Sequence, residues 1–371
     1  MPILSSFGGG SVRGFNPGAS GFDWGQFSDG DLYQGGYIQN INSSTLYWWF
    51  YPTQRGDGAT NAGGNYTGTV TLEGATDVRF HVVGGGGGGS GTNGSGGGGG
   101  GYAGTSGYVS LAKGQVISYQ AGSPGLGGAR EAIGSNLNYL GGSSPANAST
   151  NAGTSQVYLG TSTGTAPLHL QATGGTKSTV SNPTGYSDCG QGGVGSVVRN
   201  TISASTNLGN GGRGGSRNLV GEAAGYGAGG GGGNDFQGTG KDKGGSSTFS
   251  GGGGGGAGNG NSPSDAPGGS GGTIGYSGGR GGNTNTNTFG IRGDDLYDSV
   301  STNFPRGGGY AYQNSDNTLW GAGTILGRGS AGGGGFPGGG GGSSYYGGSF
   351  NGDWGTGSDG ASGAVMLQIT Y

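Results

Sequence analysis

Charge is scarce in this chain. Fifteen lysines and arginines face 18 aspartates and glutamates, and the formal net charge is −3. A nucleic-acid binder normally carries a basic patch or stripe, and no run of basic residues is present. Arg213-Gly214-Gly215 and Arg280-Gly281-Gly282 look like RNA-binding triplets, but two isolated instances are expected by chance in so glycine-rich a sequence. The lone Cys189 excludes an intramolecular disulfide framework. Eleven prolines and glycine runs without a three-residue period exclude collagen. No apolar stretch approaches the ~18 residues of a membrane-spanning helix, so no membrane insertion is expected. Met1–Phe7 lacks a basic start and an apolar stretch, so synthesis inside a cell without a cleaved signal is expected.

Catalytic material is equally thin. His81 and His169 are the only histidines, and no Cys/His spacing suits zinc. His81 reads as an outward-facing strand residue. Gly174-Gly175-Thr176-Lys177-Ser178 has threonine where a phosphate-binding loop needs glycine before the lysine. Gly-x-Gly-x-x-Gly matches carry no information against this background. Asp294, Asp295 and Asp298 read as a solvated loop rather than a cation site, and Arg55-Gly56-Asp57 and Arg292-Gly293-Asp294 as chance tripeptides. No enzyme, cofactor or metal is expected.

What is there is glycine, 109 of 371 residues. Unbroken runs occupy 84–89, 96–101, 229–233, 251–256, 332–335 and 338–342. Glycine loses more freedom on folding than any other residue and has no side chain to bury. Such runs suit disorder unless the backbone itself is the packing surface. The 36 aromatic residues argue for order. Polyglycine can form a left-handed threefold helix of polyproline II type, rising about 3.1 Å per residue without internal hydrogen bonds. Several such helices side by side can bond to one another, because no Cβ keeps them apart. Apolar covers must help offset the ordering cost of ~1–2 kcal/mol per residue. Tyr102, Tyr226, Phe249, Tyr276 and Phe336 flank the runs and suit that role. A shallow apolar core with dense backbone bonding is expected.

Helical periodicity is absent, and glycine costs about 1 kcal/mol per helical position. Strand alternation is present. Val78, Phe80 and Val82 share one face of 77–82, Val70 and Leu72 one face of 69–73, and Val365, Leu367 and Ile369 one face of the last segment. Val109 and Leu111, the turn Lys113-Gly114 and then 115–120 read as a hairpin. The expected fold class is mostly β and irregular, with short strands flanking a polyglycine II sandwich and almost no α-helix. Two domains are drawn: 67–371 as the glycine-rich body, and 1–66 as an aromatic-rich attachment or oligomerisation module. An aromatic β lobe packed on the body is the alternative for 1–66.

Large and charged side chains concentrate between the runs, in Leu126–Leu140, Asn234–Lys243 and above all Thr284–Trp320. Loops on a rigid scaffold are where recognition usually resides. Rings that stack beside polar groups that bond suit sugars and polar epitopes. The receptor-binding candidates are Phe289, Arg292, Tyr297, Phe304, Tyr310, Tyr312 and Trp320, with mere cover of the glycine body as the competing role.

Val82-Val83 followed by Gly84–Gly89, the later Gly275-Tyr276-Ser277-Gly278, and the stretch from Gly363 to Tyr371 together resemble the receptor-binding adhesins at the tips of tailed-phage fibres. The opening Met1-Pro2-Ile3-Leu4-Ser5-Ser6-Phe7 looks like virion structural proteins of T-even-type phages. The resemblance covers roughly 67–371 in style, with motifs of low complexity, and the long N-terminal module departs from it. It implies a polyglycine II sandwich with projecting host-binding loops. It also implies a virion location and a host surface glycan or outer-membrane protein as partner, with 1–66 meeting other virion or fibre proteins or a second copy. The alternative is a glycine-lattice subunit of a fibre, appendage or capsid decoration with no receptor of its own. Ice binding by a flat polyglycine face fits poorly with large irregular insertions.

Overall fold

The computed structural model describes residues 22–52, 64–90, 95–127, 150–177, 185–216, 219–233, 243–256, 267–281, 293, 331–343 and 357–371. Among these the only helical turns are the 3-10 segments Trp24–Gln26 and Tyr186–Asp188. The fold is mostly β and irregular, as its composition leads one to expect.

Among the described residues thirteen strands form two sheets. They are β1 (Leu32–Tyr33), β2 (Gly36–Asn42), β3 (Thr45–Phe50), β4 (Tyr66–Thr71), β5 (Thr76–Val83), β6 (Tyr102–Thr105), β7 (Val109–Leu111), β8 (Val116–Ala121), β9 (Ser155–Leu159), β10 (Leu168–Ala172), β11 (Gly195–Asn200), β12 (Thr206–Gly209) and β13 (Ala364–Thr370). The first sheet runs β1-β2-β3-β13-β5-β6-β12, with β7 also paired to β5; the second runs β11-β10-β9-β8-β4. Their facing sides make one apolar core. Ile38, Trp48, Leu367 and Phe80 line up across four neighbouring strands of the first sheet. Val70, Ile117, Val157 and Leu170 answer from the second. This core is deeper than the shallow one expected from composition, because the few apolar residues of the chain are gathered into two facing layers.

Three other expectations change. The stretch 109–120 is not a hairpin: β7 joins the first sheet and β8 the second. Gly114, at φ +82°, turns the corner between them. The boundary drawn at residue 66 falls within shared sheet, since β3 pairs with β13 along its whole length. His81 lies on the far side of the first sheet from the core, yet it is buried rather than solvent-facing. Its Nε2–H donates to Gln368 Oε1 (3.3 Å), Nδ1 accepts from the Tyr102 hydroxyl (2.8 Å), and Phe249 lies across its ring.

Burial first, and the Arg79 guanidinium second, push the His81 imidazole down to about 3. The folded state therefore binds fewer protons than the unfolded one between about pH 3 and 6.5. Stability is full above that window and falls as the solution is acidified through it. Lowering the pH from 7 to 5 should cost about 2 kcal/mol through this group alone. In urea titrations, His81→Gln should flatten that slope; an unchanged slope would place the acid sensitivity elsewhere.

The glycine runs continue from the strand ends as a lattice. Along 84–90 the amides bond to three different neighbours in strict rotation. Gly84, Gly87 and Ser90 donate to Gly101, Gly98 and Ser95; Gly85 and Gly88 to Gly153 and Thr150; Gly86 and Gly89 to Ala361 and Ser358. A period of three without internal bonds is the signature of the polyproline II type helix. Along 96–101 the amides of Gly96 and Gly99 reach 212–215, those of Gly97 and Gly100 reach 338–341, and those of Gly98 and Gly101 reach 173–176. Carbonyls of the same run accept from 84–87, 190–193 and 228–231. The segment thus stands in a ring of six others.

The absent side chain, rather than backbone freedom, is what the lattice uses. Of the glycines in these runs only Gly338 has a positive φ. A Cβ on Gly97, Gly98 or Gly99 would lie 2.0 Å from the carbonyl oxygens of Gly87, Gln191 and Ala228 respectively. Four turns at the sandwich end of the lattice each carry one large residue, Tyr226, Phe249, Ile274 or Phe336. Phe336 and Ile274 join Trp49, Tyr51, Val83, Tyr102 and Met366 in a second core, with Phe249 packed against it. Tyr226 stacks on Tyr102 with 5.3 Å between ring centroids. The expected aromatic covers are these anchors: they bolt the lattice to the outer side of the first sheet.

Candidate binding end of the glycine lattice

The direction of each lattice segment follows from its bonds. Gly84 and Gly101 sit beside the strand ends, so 84–90 runs away from the sandwich and 95–101 returns. Gly211 and Gly214 donate to Gly193 and Gly190, and Ala228 and Gly231 to Gly100 and Gly97. Hence 211–216 and 228–233 also run outward. By the same pairing 251–256, 276–281 and 338–343 run outward, while 243–247, 267–270, 331–335 and 357–363 run inward.

One consequence follows for every long insertion. The described chain leaves the lattice at Gly127, Lys177, Gly233, Gly256, Gly281 and Ser343, all on the end remote from the sandwich. It re-enters there at Thr150, Gly185, Lys243, Pro267, Ala331 and Gly357. At the sandwich end the connections are strands of the two sheets up to residue 209 and the short anchor turns from there to Phe336. The candidates Phe289, Arg292, Tyr297, Phe304, Tyr310, Tyr312 and Trp320 lie outside the described residues; they belong to 282–330, between Gly281 and Ala331. Within that stretch Gly293 alone is described, its α-carbon side against the Gly334 carbonyl.

Four small side chains at the remote end are tightly held. Ser90, Ser95, Ser343 and Ser358 close four adjoining segments there and are all buried. Asp359 receives the Gly127 amide at 2.6 Å, where the chain leaves for 128–149. Burial raises its carboxyl to about 7, against the smaller opposing effect of that amide bond. A raised acid binds protons that the unfolded state has released, so stability contributed below pH 4 is lost as pH rises to 7. Asp359→Asn, which keeps an acceptor for Gly127, should raise the melting temperature at pH 8 by about 5 °C, the equivalent of about 4 kcal/mol, and leave it unchanged at pH 3.5. Scanning calorimetry at the two pH values checks it.

Two surface grooves lie elsewhere. One, of about 460 Å³, runs along the lattice flank past Gln191, Val194, Asn210, Arg213 and Glu222. Arg213 donates to both oxygens of Glu222 (2.8 and 3.0 Å) and lies over the Tyr186 ring. The hydrogen bonds from Arg213 hold the Glu222 carboxyl below the usual carboxylate range. Guanidinium and carboxylate satisfy each other, so neither is poised for proton transfer. The other groove, of about 670 Å³, sits at the sandwich end farthest from the lattice and includes Tyr108, Ser110, Gln115, Pro167 and Ile202. Among the described residues no three His, Cys, Asp or Glu side chains converge to hold a metal. No helix among them is long and apolar enough to cross a membrane.

No family model matches this chain, and no curated protein matches its sequence.

Sequence reasoning located the insertions but missed that they share an end. A signal was present: between lattice segments the chain alternates short turns bearing one large apolar residue (Tyr226, Phe249, Phe336) with long polar stretches. Segments of similar length crossing one layer up and down must put alternate connections on opposite ends.

Proposed function

We propose that this chain is a non-enzymatic, receptor-binding protein of a tailed-phage virion, presenting its variable insertions to the host cell surface. The observation that supports this reading is the common end from which six insertions leave and to which they return. A backbone lattice anchored by aromatic plugs is stiff, and its insertions can vary without touching the packing that holds it. In this reading 284–320, with Phe289, Arg292, Tyr297, Phe304, Tyr310, Tyr312 and Trp320, contacts a surface glycan or outer-membrane protein. Purified protein should then block phage adsorption, and exchanging 284–320 for the equivalent segment of another such protein should redirect host range. Protein that neither binds cells nor competes, together with an exchange that leaves host range unchanged, overturns it.

One observation favours the purely structural alternative. Val194, Val198, Ile202 and Leu208 are all exposed along 194–208, around β11 and β12. Such an apolar strip suits packing between subunits. Analytical ultracentrifugation of Val198→Glu against wild type separates the readings. Assembly lost in the variant with adsorption unaffected supports a lattice subunit.

A further inference from the structure

The second sheet turns one face away from the sandwich core, and its register orders that face into two rows. Thr67, Gln120, Gln156, Gln171 and Ser196 pair successively from β4 through β8, β9 and β10 to β11. Two residues along β4, β8, β9 and β10, and three along β11 where a bulge shifts the register, Thr69, Ser118, Tyr158, His169 and Arg199 do the same. Strands lie ~4.8 Å apart, so each row spaces its side chains at about that interval over roughly 19 Å. Only Arg199, on an edge strand, is charged. A merely solvated sheet face is usually rich in both signs of charge.

The rows form a trough rather than a plane. Thr67, Thr69 and Arg199 are exposed at its margins, the glutamines and Tyr158 are half-buried, and Ser118 and His169 are buried at its floor. His169 Nε2–H donates to Gln156 Oε1 at 3.0 Å, which leaves Nδ1 as a lone-pair acceptor. That buried atom has no donor. Burial disfavours the imidazolium and so favours the neutral ring with Nδ1 as an acceptor. The Gln171 amide makes no hydrogen bond among the described residues, so its donor and acceptor are free as well.

The geometry points to a binding site for a neutral glycan chain lying across β4 to β11. Gln120 donates to the Thr154 carbonyl (2.8 Å) and accepts from Gln156 (3.4 Å), so the Gln171 carboxamide is the one that offers a donor and an acceptor side by side, matching two adjacent sugar hydroxyls. A hydroxyl is also the donor that His169 Nδ1 lacks. The Tyr158 ring supplies an apolar surface within the same trough. The one cation of the rows, Arg199 at a margin, donates to the Gly164 carbonyl, and the lack of any other disfavours phosphorylated or acidic chains. The strand spacing is close to the length of one pyranose unit, so successive sugars meet successive strands. A second copy of the sheet would be too broad for a floor recessed between exposed margins. This site lies on the sandwich, apart from the lattice end, and stands whether or not 284–320 binds a receptor.

The test is an NMR titration of the intact chain with neutral gluco-, galacto- and manno-hexaoses, following the glutamine side-chain amides and the His169 ring. At least one should shift Gln120, Gln156, Gln171 and His169 together, with Kd of about 1 mM. Gln171→Ala should weaken binding about tenfold, the equivalent of one lost hydrogen bond. Gly225→Ala, whose added methyl meets nothing within 4 Å, should leave binding unchanged. No shift with any of the hexaoses at about 10 mM, shifts confined to other residues, or equal binding by Gln171→Ala each overturn the proposal. So does concentration-dependent self-association that Gln171→Lys abolishes, which would assign the trough to a second copy. Host-range exchange of 284–320 does not move this readout, so failure of one reading is distinguishable from failure of the other.

Discussion

Gly98→Ala should leave no folded protein at 37 °C, whereas Gly107→Ala should be indistinguishable from wild type or slightly more stable. The two substitutions add the same methyl group and remove the same unfolded-state freedom. At Gly107 the new Cβ meets no atom within 4 Å and φ is not positive, so the entropy term alone remains, worth ~0.4–1 kcal/mol in favour of folding. At Gly98 the Cβ would lie 2.0 Å from the Gln191 carbonyl oxygen and 2.4 Å from its carbon. A flexible side chain can swing aside from such a contact; a backbone carbonyl held in a lattice cannot. Relief requires 190–193 to move outward by more than 1 Å, and that breaks the Gly193 to Gly99 and Gly190 to Gly96 bonds. Overpacking of ordinary cores costs ~1–3 kcal/mol, and here every neighbour is main chain, so the cost lies at the top of that range or beyond. Neighbouring positions offer no refuge, since Gly97 and Gly99 meet other carbonyls of the ring at the same distance. Thermal melts of the two variants read the difference. If Gly98→Ala melts within a few degrees of wild type, the glycines are not there for close approach.

Much of the β architecture was legible because alternation is written in side chains. Val78, Phe80 and Val82 on β5, and Val365, Leu367 and Ile369 on β13, point into one core as their spacing requires. The aromatic plugs were legible from their position beside the runs. The lattice was legible as a category but not as an arrangement. Its period of three resides in the direction of N–H and C=O groups, and nothing in a glycine run distinguishes Gly97 from Gly98. Segment direction therefore had to come from pairing partners such as Gly84 with Gly101, and only then did the common end of the insertions emerge. His81 was misread because strand alternation separates two faces without telling whether the second is wet. Here Phe249 and Tyr102, from turns and strands distant in sequence, cover it. The polar rows on the second sheet were hidden for a similar reason. Gln120, Gln156 and Gln171 are unremarkable singly, and only strand register sets them side by side.

Deleting residues 364–371 should abolish folding outright, although it removes a single strand. β13 lies between β3 and β5, and both ladders are continuous along its length. Without it β1 to β3 have no partner in the sheet, and Trp48 and Phe80 lose Leu367 from between them. The same strand serves the other side, where Met366 and Ala364 sit in the second core with Trp49, Tyr102 and Phe336. One deletion thus opens the sandwich and unseats the anchors of the lattice. Leu367→Ala, which keeps the strand but empties the central position, should cost ~2–5 kcal/mol. The contrast between the two is informative. If β13 acted only through its side chains, several alanines would reproduce the deletion; if its place in the hydrogen-bonded sheet matters more, the deleted protein should be protease-sensitive while Leu367→Ala remains resistant at 25 °C. Because β13 joins strands about 300 residues earlier in the chain, the sheet cannot close until this segment is present. A synthetic peptide of 363–371 added to the truncated chain should then restore protease resistance, and its failure at saturating concentration would show that the lattice and second sheet do not form a receptive scaffold without it.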